Sequence, residues 1–194
     1  NFGADISMHS ATKYLNGHSD VTAGALSARE LGSYWDDIAL IRKLQGTVLQ
    51  SFDAFLLIRG MRTLFLRVEK ATENALQIAN HFNGHKFVET VLYPGLSDHP
   101  KHDVQKIQTG GLYGGMMSII VKGSEQTAID VTRFSNVFYP ATSLGGVESL
   151  IEHRATVSGP DFPVHPNLLR LSIGIEEASD LIDDLEQALE RANS

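Results

Sequence analysis

From Gly84 onward the apolar residues switch between a period of two and a period of three to four, which restricts this stretch to strands and helices layered on one another. Phe87–Leu92 reads as a strand ended by Tyr93-Pro94-Gly95. Gly114–Val121 reads as a second, with Ser118–Val121 as its apolar centre. Between and after them, His102–Gln108 and Gln126–Phe134 carry helical spacing. Leu168–Ile175 is a third strand, with Leu169, Leu171 and Ile173 on one face. Ser179 is placed to cap a last helix along Leu181, Leu185, Ala188 and Ala192. The expected fold class is α/β, a sandwich built on one sheet.

The first part has a different texture. Ala4–His9 and Val21–Ser27 read as short strands, the first because Ile6 and Met8 alternate with polar neighbours and the second weakened by Gly24. Leu31, Trp35, Ile38, Ile41 and Leu44 recur at helical steps until Gly46 breaks the run, and Trp35 reads as a packing anchor. A long helix then runs from Ser51 or Asp53 to Phe82, stopped by Asn83-Gly84, with a hinge expected near Gly60. It would bridge two domains, 1–60 and 61–194. Arg59, Arg62, Arg67 and Lys70 on it read as a solvated or inter-subunit face.

Composition excludes several classes. Among 194 residues, 42% are apolar and 20% charged, as in a soluble globular chain. There is no cysteine, so disulfides, thiolate metal sites and a cysteine nucleophile are out. A net charge of −7 without a basic block argues against nucleic acid and anionic membrane as partners. No apolar run approaches the ~18 residues of a membrane span. The chain starts at Asn1 with no basic-then-apolar leader, as expected of a mature chain or a piece of a longer one.

The segment richest in chemistry is Ser10-Ala11-Thr12-Lys13-Tyr14-Leu15-Asn16-Gly17-His18. Two hydroxyls lie one and three residues before a single lysine, close to an expected strand end. A lysine amine condenses with a carbonyl, and hydroxyls bind an anion such as phosphate, so the set suits a carbonyl cofactor with a phosphate handle. On these residues alone, a solvated lysine in a Ser/Thr-rich turn is the simpler explanation of the segment.

Beyond that motif, the sequence resembles the pyridoxal-phosphate enzymes of cysteine and methionine metabolism, a family that includes cystathionine γ-synthase, γ-lyase and β-lyase. The resemblance rests on Ser10-Ala-Thr-Lys-Tyr-x-x-Gly-His18, Asp53-Ala-Phe-Leu-Leu-Ile-Arg-Gly-Met-Arg-Thr-Leu64 and Tyr93-Pro-Gly-Leu96. Ser143-Leu-Gly-Gly-Val-Glu-Ser-Leu150 and Arg170-Leu-Ser-Ile-Gly-Ile-Glu176 complete it, in the family's order. It implies the C-terminal part of a fold-type I pyridoxal-phosphate enzyme. Residues 1–60 would end the large cofactor-binding domain, and 61–194 would form the small α/β domain, joined by the bridging helix. It further implies pyridoxal 5'-phosphate as cofactor, carried by Lys13 as the internal aldimine, with Lys13 also shuttling protons. Ser10 and Thr12 would contact the phosphate. Arg170 would grip the substrate α-carboxylate, helped by the backbone around Ser143 and Leu144. Glu148 would lie near the distal amino group of cystathionine. No metal is implied.

Glu148, and the lack of an aromatic residue at Leu144, lean toward reaction at Cγ rather than Cβ, since β-lyases often carry an aromatic in that block. The implied substrates are cystathionine, an acylated homoserine and cysteine. The implied partners are the N-terminal half of the same subunit and, in a cytoplasmic homotetramer, further copies. The cofactor-stacking aromatic, the aspartate for the pyridine nitrogen and the glycine-rich phosphate turn would all precede Asn1, so this chain alone is expected to be a poor catalyst. Alternatives are β-lyase chemistry, a non-catalytic assembly fragment, or a binding domain without Schiff-base chemistry.

Read without the resemblance, Ser143 belongs to a plain loop before a helix that it caps, and Glu148 separately reads as a first-turn glutamate favoured by the helix dipole. His99 and His102 read as loop histidines, lacking a third ligand in sight. One stretch departs from the family: after His153, where many members continue Pro-Ala-x-x-Thr-His-Ala, this chain reads Arg154-Ala-Thr-Val-Ser-Gly-Pro160. That region borders the active-site entrance in the family, which points to an atypical substrate.

Overall fold

The computed structural model describes residues 3–159 and 162–194; Pro160, the end of the departing stretch, lies outside them. The chain divides into two compact units, Asn1–Leu64 and Phe65–Ser194.

In the first unit, β1 (Ile6–Ser10) and β2 (Gly24–Ala28) form an antiparallel ribbon in which Ile6 faces Ala28 and Ser10 faces Gly24. Every β1 residue is exposed, so the Ile6/Met8 alternation marks a face that nothing in this unit covers. Helix α1 (Ser33–Gln45) follows and ends at Gly46, whose φ of 67° suits a residue without Cβ. The expected apolar stripe is present but unburied: Ile41 and Leu44 are exposed and no α1 residue is buried. Trp35 is half-buried, lining a groove of about 690 Å³ with Met8, Leu26, Ile38 and Ile41.

The long helix is two helices, α2 (Ser51–Met61) and α3 (Leu64–Phe82). The break falls at Arg62-Thr63 rather than at Gly60. There the amides of Arg62 and Thr63 turn back to the carbonyls of Arg59 and Gly60, and the Thr63 hydroxyl also donates to Gly60 O. Gly60 serves packing instead: a Cβ on it would lie 2.2 Å from the Asn16 carbonyl oxygen. The basic cluster is not uniformly solvated. Arg59 and Arg62 are exposed, but Arg67 is buried, and desolvation lowers its pKa from the ordinary guanidinium value.

The second unit is a sheet in the order β3-β4-β7-β6-β5. Its strands are β3 (Val88–Leu92), β4 (Met116–Val121), β5 (Tyr139–Pro140), β6 (Leu150–His153) and β7 (Leu168–Ser172). Neighbours pair antiparallel except β5 with β6. Helices α4 (His102–Thr109), α5 (Glu125–Phe134), α6 (Arg154–Ser158) and α7 (Ala178–Ala192) complete it. The core joins Ile78 and Phe82 of α3, Val131 of α5, and Leu185 and Leu189 of α7 to Ile119, Leu169 and Leu171 of the sheet. Burial alternates along β4, where Met117, Ile119 and Val121 are buried. Leu169 and Leu171 therefore face the core, and Arg170 faces the other side.

Three sequence readings are corrected here. Ser179 is not the cap of α7: the helix starts at Ala178, with Glu177 at the N-cap position and no side-chain cap bond. Ser143 caps no helix and Glu148 lies in no first turn, because 143–149 is a loop entering β6. Strands β5 and β6 escaped the reading. All four β6 residues are buried, so the strand shows no two-residue alternation.

Candidate active site

The lysine segment is a tight turn closing β1. Lys13 N donates to Ser10 O (3.2 Å), Asn16 N to Ala11 O (3.0 Å) and Gly17 N to Lys13 O (2.8 Å). The Thr12 hydroxyl accepts from Ala23 N at 3.0 Å and donates to Ala23 O at 3.4 Å, pinning the turn to the chain entering β2. Buried Asn16 donates to Asp20 (2.8 Å), and its carbonyl accepts from His18 Nδ1 (2.7 Å). These bonds fix the backbone at Lys13, whose side chain is half-buried, while Ser10 is exposed. Amine and hydroxyls fit an aldehyde-bearing phosphate ester by their chemistry. Ser10 is the hydroxyl open to a phosphate; Thr12 reaches one only by giving up its bond to the Ala23 carbonyl.

In the second unit the expected carboxylate-binding residues do come together. Arg170 Nη2 donates to Thr142 O at 2.5 Å and to Ser143 O at 3.1 Å, and forms an ion pair with Glu152. Glu152 lies directly opposite Arg170 in the β6–β7 register. Leu144 and Glu148 sit half-buried in the same loop.

The loop is held by every second residue after Arg170. Ser172 Oγ accepts from Gly145 N (3.0 Å), and Gly174 N donates to Ser149 Oγ (2.8 Å). Glu176 accepts from Ser149 N (2.6 Å) and from the Ser149 hydroxyl (2.9 Å). A Cβ on Gly174 would lie 2.2 Å from Val147 O, so only glycine admits the loop this closely. Sequence reasoning assigned no role to Glu152, Ser149, Ser172 or Glu176. The signal available was the polar alternation Arg170-x-Ser172-x-Gly174-x-Glu176 between buried Leu171 and Ile173.

His102 Nδ1 donates to Pro94 O (2.9 Å) and its Nε2 meets the Tyr113 hydroxyl (3.2 Å), so it is engaged in packing the loop before α4. Among the described residues no group of three His, Asp or Glu side chains is placed to hold a metal, and no helix is long and apolar enough to cross a membrane.

A family model described as Cys/Met metabolism PLP-dependent enzyme matches residues 1–190. Cystathionine gamma-synthase of Mycobacterium tuberculosis is 44% identical over 192 residues, covering 96% of this chain and 49% of that protein. The solved cystathionine gamma-lyase from yeast superposes with a TM-score of 0.93 at 40% identity, over 100% of this chain and 52% of that one. Cystathionine gamma synthase from Xanthomonas oryzae pv. oryzae, solved in complex with cystathionine, gives 0.91 at 42%, over 99% and 51%. The chain thus spans about half the length of the relatives it matches.

Proposed function

The chain belongs to the Cys/Met metabolism PLP-dependent enzyme family, and on that premise we propose that it carries the lysine and the carboxylate grip of an enzyme that eliminates or replaces groups at Cγ, or at Cβ, of sulfur amino acids such as cystathionine. The observation that carries this reading is the clamped Ser10–Gly17 turn, which presents one half-buried amine beside an exposed hydroxyl.

Pyridoxal phosphate, when bound, supplies an electron sink that acidifies the hydrogen on the substrate Cα. Lys13 Nζ removes that proton and returns protons to the substrate, acting at high effective concentration because its backbone is fixed. Ser10 anchors the phosphate, with Thr12 holding the turn against Ala23. Arg170 orients the α-carboxylate, since a planar guanidinium fixes both position and direction. The loop at Ser143 and Leu144 supplies backbone groups around that carboxylate, and Glu148 is the proposed partner of the distal amino group. A glutamate there, with no aromatic at Leu144, supports Cγ over Cβ chemistry.

The exposed β1 and the apolar groove at Trp35 support a further stretch of polypeptide covering the first unit. The N-terminal half of the same subunit is its proposed occupant, within a homotetramer. The whole enzyme tests the reading. Borohydride reduction and peptide mass spectrometry are expected to place a pyridoxyl adduct on Lys13. Lys13→Ala is expected to abolish the adduct and to lower turnover by about 10²–10⁴-fold. An adduct on another lysine refutes the assignment. Assaying cystathionine breakdown against its formation from an acylated homoserine and cysteine separates lyase from synthase.

A further inference from the structure

Glu152 is an isolated acid in an apolar strand, and it is only 4% exposed. A buried carboxylate needs partners, and this one has two. Its Oε1 accepts from Arg154 Nη1 at 2.7 Å, and its Oε2 pairs with Arg170 Nη2. Each oxygen therefore faces a different guanidinium.

The charge count decides what this means. Arg170 paired with Glu152 alone would be electrically neutral, and a neutral pair attracts a carboxylate weakly. Arginine stays protonated at any ordinary pH. Within the triad of Arg154, Glu152 and Arg170, two guanidinium cations against one carboxylate leave one net positive charge. Geometry divides the labour. Arg170 Nη2 donates to Thr142 O and Ser143 O, which fixes the plane of the guanidinium, and the Glu152 carboxylate lies against it as an ion pair. Arg154 begins α6, two residues beyond Glu152, with about a third of its side chain exposed. It is the more solvated of the two cations, placed to share the anion rather than to be fixed by it. It also opens the stretch in which this sequence departs from its family.

We propose that Glu152 aims Arg170 and that Arg154, acting through Glu152, keeps the Arg170 site a net cation, so that it discriminates substrates bearing a free α-carboxylate from neutral analogues. Both are positioning residues, and the inference rests on Arg170 being the carboxylate's partner.

The test uses the complete holoenzyme and measures the dissociation constants of glycine and glycinamide by titrating the cofactor absorbance. The change in that ratio between variants reads the carboxylate, because the difference in amine basicity is common to all of them. Arg154→Gln is expected to reduce the preference for glycine about fivefold while leaving glycinamide binding unchanged, and Arg154→Lys to restore it. An unchanged ratio in Arg154→Gln overturns the inference. So does an equal loss for both ligands, which is what a merely structural role would give. Arg170→Met separates the two levels. If it retains the wild-type preference, the reading of Arg170 itself fails. If it loses the preference while Arg154→Gln does not, only the role of Arg154 fails.

Discussion

Asp184 of α7 is buried and receives three consecutive backbone amides from the chain leading into β5. Asn136 N reaches Oδ1 at 2.8 Å, and Val137 N and Phe138 N reach Oδ2 at 2.8 and 3.1 Å. Gln187 Nε2 adds a bond to Oδ1 at 3.1 Å. A hydrogen bond to a charged group contributes about 1.5–3 kcal/mol, and an orphaned buried amide costs about 1–3 kcal/mol. These contributions overlap, so Asp184→Ala is expected to cost about 4 kcal/mol, a large share of the ~5–15 kcal/mol that holds a domain together. Asp184→Asn should do little better. Both oxygens accept, so whichever becomes the amide nitrogen sets a donor against a donor. Urea unfolding with an m of about 2 kcal/mol/M would shift its midpoint by ~2 M in both variants, followed by tyrosine near-ultraviolet dichroism. The single Trp35 lies in the other unit, and its emission should keep its midpoint. An Asn variant within about 1 kcal/mol of the parent would refute the reasoning, because it would mean that the three amides do not depend on two acceptors.

Gly60→Ala drives a methyl group into the Asn16 carbonyl, which already accepts from His18, and overpacking of this kind costs about 1–3 kcal/mol. The displaced backbone is the turn bearing Lys13, so the whole enzyme should lose cofactor on dialysis faster than the parent. Equal retention would show that the turn tolerates the shift. Glu176→Gln can keep its carbonyl on Ser149 N only by turning its amide toward the Ser149 hydroxyl, whose own proton then loses its acceptor, and this loosens the loop over Arg170. The Michaelis constant for an amino-acid substrate is expected to rise about tenfold, with a smaller change in turnover, from the ~1.5 kcal/mol at stake. A variant that loses only turnover contradicts a positioning role.

What was legible in the sequence follows from how each residue is satisfied. β4 and β7 were readable because each shows one face to the core, so Ile119 and Leu169 alternate with Ser118 and Arg170. β6 was not, since Leu150, Ile151, Glu152 and His153 are all buried and local periodicity carries no information when both faces are covered. The stripe of α1 was readable as a helix but misleading as a core, because its burial depends on a covering surface that the first unit lacks. The Arg67 case is the reverse: charge suggested solvent, and the packing of α3 overruled it. Lys13, Arg170 and Ser143 were visible through the motifs that contain them. Glu152 was invisible, because its importance lies in a cross-strand register that a one-dimensional reading does not contain.

On the proposed role of Arg170, that register also lets a single extended segment serve both stability and recognition. In an extended chain, side chains two apart share a face. Leu171 and Ile173 point into the core and lock the segment there, which obliges Arg170 and Ser172 to point the other way, and Gly174 and Glu176 continue beyond the strand. Each of the four then meets the loop before β6 at a different place: the Ser143 carbonyl, the Gly145 amide, the Val147 carbonyl and the Ser149 amide and hydroxyl. The loop is therefore fixed at two-residue intervals by the same strand that carries the guanidinium. A site of this kind tolerates errors of only about 0.5 Å, and a loop tethered at one end would not hold that tolerance. On that proposed role of Arg170, the core hydrophobics thus contribute to recognition without touching a ligand. Inverting the alternation by one residue would turn Arg170 inward and leave the loop untethered in the same step.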